Sequence, residues 1–226
     1  MDIPNNIILT WKDNDIPEYI IEKWKLLNPE YKILFYNDSD IINFLNENYD
    51  SNYSKFFSEI PFGRYKSDFF RYCYLYKCGG CYVDIDLEPI LPINEILDKN
   101  KKVSFLSVLS GYPGHIFQAI LFSNPGNTII KMCIDSMFHY GSNIGIDPPD
   151  IYPYIGHPTK CMYENLTIYL KNIRFDRGGI IPIGNEEYIV LGKELRVNNR
   201  DVNVFYNTKT FAYSRYINYD REHGFF

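Results

Sequence analysis

Two carboxylates, Asp84 and Asp86, flank a single isoleucine in the run Cys81-Tyr82-Val83-Asp84-Ile85-Asp86. If the run is the end of a strand, positions i and i+2 project from one face of a sheet. At the carboxyl end of a parallel strand they overhang the crevice where α/β proteins hold ligands. Hard oxygen donors so paired suit Mn²⁺ or Mg²⁺, with diphosphate oxygens completing the shell. A cation held there stabilises negative charge on a departing diphosphate. An Asp-x-Asp also arises by chance in surface turns, but here both acids interrupt a run of Tyr, Val and Ile. Two like charges gathered there cost several kcal/mol, on the order of a buried ion, unless a metal or a basic group offsets them. Upstream, Asp68 and Arg71 stand three apart on a helical stretch and share a face. As a surface ion pair they contribute under ~1 kcal/mol. As a functional pair, Asp68 accepts hydrogen bonds from sugar hydroxyls while the planar guanidinium of Arg71 faces sugar or phosphate. Spacing alone leaves both readings open.

The elements that must position these groups follow from periodicity and punctuation. Ile7 to Trp11 reads as a first strand, and Pro17 opens a helix through Leu27 that Asn28-Pro29 ends. Tyr31 to Tyr36 alternates as a second strand, and Asn37-Asp38-Ser39-Asp40 supplies an N-cap for a helix through Ile41, Ile42, Phe44 and Leu45. Arg64 to Lys77 is a helix stopped at Gly79-Gly80, and Cys81 to Asp86 is a strand closed by Pro89. The order β-α-β-α-α-β with short connections predicts an α/β fold with a mainly parallel sheet. Val103 to Leu109 reads as a strand, Thr128 to Tyr140 and Lys160 to Leu170 as helices, and Ile180 to Leu191 as one or two strands; Pro148-Pro149 marks a loop. The segment from Asn203 to Phe226 yields no assignment. The 226 residues carry neither a repeat nor a linker, which makes 1–226 a single domain.

Ser67-Asp68-Phe69-Phe70-Arg71-Tyr72, then Leu75-Tyr76, then Gly79-Gly80-Cys81-Tyr82-Val83-Asp84-Ile85-Asp86 resembles the core motif of glycosyltransferases with a DXD-containing sugar-binding region. That group includes family 32, with the yeast-type initiating α-1,6-mannosyltransferases, and is distantly related to the large clostridial glucosylating toxins. Ile3-Pro4, Thr10-Trp11-Lys12, Asn28-Pro29-Glu30-Tyr31 and Asn37-Asp38 are similar to the same family's N-terminal pattern, and Gly156-His157-Pro158 faintly resembles a later Gly-Pro segment. The resemblance implies a GT-A fold, with residues 1–92 as the nucleotide-sugar-binding core and 93–226 as acceptor-side and closing elements. It further implies a retaining reaction and a nucleotide-sugar donor, a UDP-sugar or GDP-mannose, bound with Mn²⁺ or Mg²⁺. By the same resemblance Trp11 stacks the nucleobase with Thr10 beside it, and Tyr82 counts among the donor-binding positions. Asp68 and Arg71 hold the donor sugar, Asp84 reaches ribose and sugar and stands with the metal ligands, and Asp86 binds the metal directly. His223 is the candidate for a further metal contact from near the C-terminus. No carboxylate stands out as a dedicated nucleophile, so the expected mechanism is front-face attack by the acceptor hydroxyl, with the departing phosphate assisting proton removal.

Composition narrows the alternatives. Net charge is −5 and no basic block stands out, so the footprint of a nucleic-acid binder is missing. No apolar run is long enough to span a bilayer, and Met1 to Asn6 lacks the features of a signal peptide. The expected setting is cytoplasmic, bacterial or viral, with a glycan, protein or lipid acceptor contacted by loops such as Ser110 to His115 or Gly141 to Pro149. Five cysteines, an odd number without an export signal, point to reduced thiols. Cys73, Cys78 and Cys81 have the spacing of a plant-type iron–sulfur site, yet two of them fall in a helix and a strand rather than a wrapping loop. Two rivals stay open: a phosphohydrolase with Asp84 as nucleophile and Asp86 as acid, and a sugar- or nucleotide-binding module without turnover.

Overall fold

The computed structural model describes residues 2–12, 18–97, 100–141, 157–171, 173–184, 186–196, 201–206 and 208–215. In chain order the elements are β1 (Asn6–Thr10), α1 (Glu18–Leu27), β2 (Lys32–Tyr36), α2 (Asp38–Asn48), α3 (Ser51–Glu59), α4 (Gly63–Cys78), β3 (Gly80–Val83), β4 (Leu87–Pro89), a 3₁₀ turn (Ile93–Glu95), β5 (Lys102–Leu109), β6 (Ile116–Ser123), α5 (Thr128–Tyr140), α6 (Pro158–Leu170), β7 (Gly179–Gly184), β8 (Glu187–Arg196), β9 (Asp201–Tyr206) and β10 (Lys209–Arg215). The strands form one sheet in the order β2-β1-β3-β6-β5-β8-β9-β10-β4, with β7 added beside β8. Pairing is parallel among β2, β1 and β3 and between β5 and β8. Antiparallel ladders through β6, β7, β9 and β10 extend that frame. The architecture is α/β, as expected.

Helices cover both faces. Ile20, Ile21 and Trp24 of α1 pack with Ile7, Leu9, Val83 and Phe211 on one side. On the other, Phe44, Phe57, Phe69, Phe70, Ile130 and Met162 bring α2 to α6 against Ile8, Tyr82 and Leu121. Burial of these side chains contributes roughly 1.5–3 kcal/mol each, which is why an aromatic-rich α4 is helical despite modest intrinsic propensity.

Three expectations change. A helix absent from the sequence reading, α3, stands between α2 and α4, started by the Asp50 side chain, which accepts from Asn52 N at 2.8 Å. Residues 116–123 form a strand, β6, inserted between β3 and β5. The run Cys81 to Asp86 is not a continuous strand either, because β3 ends at Val83. Leu87 N donates to Asp84 O at 3.1 Å, so Asp84-Ile85-Asp86-Leu87 is a turn. The acids therefore share a turn at the carboxyl end of β3, not one face of a strand.

Candidate functional site

The site is built on a short, strictly fixed joint. Leu75 O accepts from Gly79 N at 2.9 Å, and Gly79 takes φ +67°, a region open to glycine at little cost. A Cβ at Gly79 would lie 2.7 Å from Pro125 Cδ and 2.8 Å from Pro4 Cδ. With α4 folded back tightly against β3, its middle turns lie beside the carboxyl ends of β1 and β3, where Thr10 and Asp84 emerge.

Arg71 is the hub. It is 3% exposed and reaches five residues with the three nitrogens of its fork, Ser67, Asp68, Tyr82, Asp84 and Gln118. Nη1 donates to Gln118 O at 2.5 Å and Nε to Ser67 O at 3.2 Å. Nη2 lies 3.0 Å from Asp84 Oδ1, 3.2 Å from Asp68 Oδ1 and 3.2 Å from Ser67 Oγ. The guanidinium also sits over the Tyr82 ring, 4.2 Å from its centroid. Tyr82 Oη donates to Asp84 Oδ1 at 3.0 Å and lies 3.0 Å from Thr10 Oγ1. Thus Thr10, Asp68, Arg71, Tyr82 and Asp84 are one connected network. The surface-ion-pair reading of Asp68 and Arg71 is overturned by their burial, 7% and 3% exposed.

Electrostatics follow from that burial. Burial works against the Arg71 charge, but Tyr82, Asp84 and Asp68 more than offset it and hold the guanidinium above its usual range. Burial pushes the Asp68 carboxyl up to about 6; Arg71 opposes the rise and Asp84 adds to it. The Asp86 carboxyl is pushed up to about 7, first by burial and then by the Asp84 charge. Asp84 itself keeps about a third of its side chain, 32%, open to solvent. Two adjacent hard-oxygen donors that resist joint ionisation fit a divalent cation, which supplies the missing positive charge. Among the described residues no group of three or more carboxylates, histidines or cysteines is gathered to hold a metal ion. His223 lies outside the described residues.

Trp11 follows Thr10 at the carboxyl end of β1, partly exposed, with its backbone N–H donating to Tyr36 O at 3.2 Å. Two contributors escaped the sequence reading. Gln118 and Ala119 lie where the β5–β6 register slips, Leu106 facing Phe122 and Val108 facing Phe117. The irregularity turns two carbonyls toward the site: Gln118 O binds Arg71, and Ala119 O accepts from Asp84 N at 2.9 Å. The signal was a single buried Gln inside the apolar run Ile116 to Phe122. Ser67 was visible in the motif but not its hold on Arg71. The five cysteines are all free, and four of them are buried.

Comparison with known proteins meets this geometry. A family model described as a glycosyltransferase sugar-binding region containing a DXD motif matches residues 16–103, which hold α1 to β4 and both acids. Inositol phosphoceramide mannosyltransferase 1 of Schizosaccharomyces pombe is 33% identical over 103 residues, 43% of this chain and 32% of that protein. Initiation-specific alpha-1,6-mannosyltransferase of Candida albicans is 28% identical over 109 residues, 44% of this chain and 28% of that protein. The mannosyl phosphorylinositol ceramide synthase CSH1 of Saccharomyces cerevisiae is 29% identical over 151 residues, covering 62% and 37%. The chain spans roughly a third of the length of these relatives. Among solved structures, PaToxG glycosyltransferase aligns with a TM-score of 0.47 at 17% identity, covering 74% of this chain and 69% of that one. The glycosyltransferase domain of the YGT toxin aligns at 0.41 and 11%, covering 61% and 63%.

Proposed function

We propose that this protein is a retaining, metal-dependent glycosyltransferase of the GT-A type, moving a hexose or N-acetylhexosamine from a nucleotide-sugar donor to an acceptor hydroxyl. The observation that carries the reading is the buried Arg71 fork joining Asp68 to Asp84 at the mouth of the sheet, inside the segment that matches the sugar-binding region. A permanently charged, rigid guanidinium beside two carboxylates binds phosphate and sugar oxygens together.

In this reading Trp11 and Thr10 border the nucleoside, and Asp68 accepts from donor-sugar hydroxyls. Tyr82 keeps Asp84 in place while the outer face of Asp84 meets the ribose. Asp84 and Asp86 would hold Mn²⁺ or Mg²⁺, which supplies Lewis-acid stabilisation of the leaving diphosphate when bound. Arg71 adds preorganised positive charge that needs no rearrangement during reaction. The acceptor hydroxyl attacks the anomeric carbon on the face the diphosphate leaves, and its proton passes to a departing phosphate oxygen, giving retention without a glycosyl-enzyme. The relatives are named mannosyltransferases, which makes GDP-mannose the first donor to test, ahead of UDP-glucose, UDP-galactose and UDP-N-acetylglucosamine.

The test is a donor panel with Mn²⁺, and with chelator, read as free nucleoside diphosphate. The expected result is slow, metal-dependent hydrolysis of one donor, reduced at least 100-fold in Asp86→Asn. Release of inorganic phosphate instead favours the phosphohydrolase, and a folded Asp86→Asn protein with undiminished turnover overturns the reading.

A further inference from the structure

The helix that carries Asp68 and Arg71 begins in an unusual way. Its N-cap is Phe62, with no side-chain hydrogen bond to the free amides, where Ser, Thr, Asp or Asn is favoured. Phe62 is also 45% exposed, among the large apolar side chains most open to solvent. One residue thus breaks both the capping rule and the burial rule, and such breaks gather at functional positions.

Phe62 starts a continuous line of rings. Its centroid is 5.9 Å from Tyr65, Tyr65 is 5.6 Å from His157, and His157 is 5.8 Å from His115. The Arg64 guanidinium sits over the first two, 5.3 Å from Phe62 and 4.8 Å from Tyr65. Thr159 Oγ1 ties the imidazoles together, 2.7 Å from His157 Nδ1 and 2.8 Å from His115 Nδ1. With one proton to donate and two lone pairs to accept with, the Thr159 hydroxyl bonds both imidazoles at once. The β5–β6 loop that brings His115 is itself fastened: Glu194 accepts from Ser110 Oγ at 2.6 Å and from Gly111 N at 2.8 Å. Tyr112, 52% exposed, stands on that loop.

The wall stands next to the donor site. Arg64, Asp68 and Arg71 follow at i, i+4 and i+7, one face of α4. At 1.5 Å per residue the wall begins about 10 Å beyond Arg71, toward and past the carboxyl edge of the sheet. A donor sugar gripped by Asp68 and Arg71 therefore has this wall as the next surface along the helix. The second substrate must reach that same sugar. Aromatic faces bind the C–H faces of a saturated ring, and guanidinium and imidazole edges bond its hydroxyls.

We propose that the exposed ring of Phe62 and the Arg64 guanidinium, backed by the buried Tyr65 ring, 1% exposed, and by the His157–Thr159–His115 relay, form the acceptor subsite, shaped for a polyhydroxylated six-membered ring, a sugar or a cyclitol. The proposal rests on the donor reading for its role in transfer, but ring binding is tested without a donor. Methyl α-D-mannopyranoside, methyl α-D-glucopyranoside and myo-inositol serve as free rings, and octyl glucoside as a lipid-linked one, with saturation-transfer NMR as the readout. The variants are Phe62→Ser and Phe62→Trp. Serine supplies the cap that phenylalanine lacks, so the melting temperature holds or rises and lost binding cannot be blamed on unfolding. The expected result is that at least one ring binds the wild type, loses its signal with Phe62→Ser and keeps it with Phe62→Trp. In transfer assays that ring's KM rises about tenfold in Phe62→Ser while kcat changes little. A wild type that binds none of the four, or a Phe62→Ser protein that binds as well as wild type, overturns the subsite. Ring binding without turnover of any nucleotide sugar overturns the donor reading instead and leaves the subsite standing.

Discussion

Arg71 concentrates more of the site's physics than any other side chain described. Its fork is shared among Gln118 O, Ser67, Asp68 and Asp84, and its plane lies over Tyr82. A lysine there keeps the charge but reaches as a single point. Arg71→Lys is expected to lower kcat/KM at least 100-fold, about 2.7 kcal/mol of transition-state stabilisation, in a protein whose circular dichroism is unchanged. Arg71→Ala leaves Asp68 buried without its partner and is expected to cost about 3–5 kcal/mol in urea unfolding. The neighbouring carboxyl gives a pH signature. Asp68 has its folded pKa raised to about 6 from 3.8, so the native state binds the proton more tightly than the unfolded chain does. Its ionisation therefore disfavours the fold above pH 6, and the penalty disappears as pH falls through the window from 6 to 4. Asp68→Asn is neutral throughout. The stability of the variant relative to wild type should accordingly fall by up to about 3 kcal/mol between pH 7 and pH 4; a pH-independent difference would falsify the assignment of burial as the dominant cause.

At the scale of elements, the joint between α4 and β3 decides whether those residues meet. Gly79→Ala must either leave φ +67° or drive a methyl into Pro125 and Pro4. Either route is expected to cost at least about 2 kcal/mol, measured as a lower denaturation midpoint with unchanged m. The glycine pair that stops this helix was legible in the sequence, as were α1, α2, α4, α5, α6 and the first two strands, because strong periodicity and end signals coincided in each. The strand β6 was not. Its run Ile116 to Ser123 is buried on both faces, so it lacks the alternation that marks a half-buried strand, and its length alone does not separate strand from helix. The turn at Asp84 to Leu87 escaped for a different reason. What ends β3 at Val83 is pairing with residues far along the chain, Ala119 O taking Asp84 N and Trp24 Nε1 binding Leu87 O at 3.0 Å. Asn28 was legible only as a motif letter; in the fold it is fully buried, accepting from Ile93 N at 2.7 Å and donating to Trp24 O at 3.1 Å, and so ties α1 to the segment after the acids.

For the molecule as a whole, the candidate site is open at the sheet's carboxyl edge and carries a surplus of carboxylate charge there, so ligand binding should register as global stability. With a cognate donor and Mn²⁺ at about 100 times the dissociation constant, stabilisation of about 2.7 kcal/mol is expected, a rise of roughly 5–10 °C in melting temperature for a chain of this size. Metal alone should give a smaller rise that Asp86→Asn abolishes. No described helix is long and apolar enough to cross a membrane. The β4 strand, immediately after the acids, hydrogen-bonds to β10: Leu87 faces Ser214, Glu88 faces Tyr213 and Pro89 faces Ala212. During synthesis, every carboxylate of the site leaves the ribosome long before the strand that holds their turn does. A nascent chain halted after β9 thus owns Asp68, Arg71, Asp84 and Asp86 without the strand that braces their turn, and that brace waits for the closure of a loop of more than a hundred residues, the slowest kind of contact for a polypeptide to make.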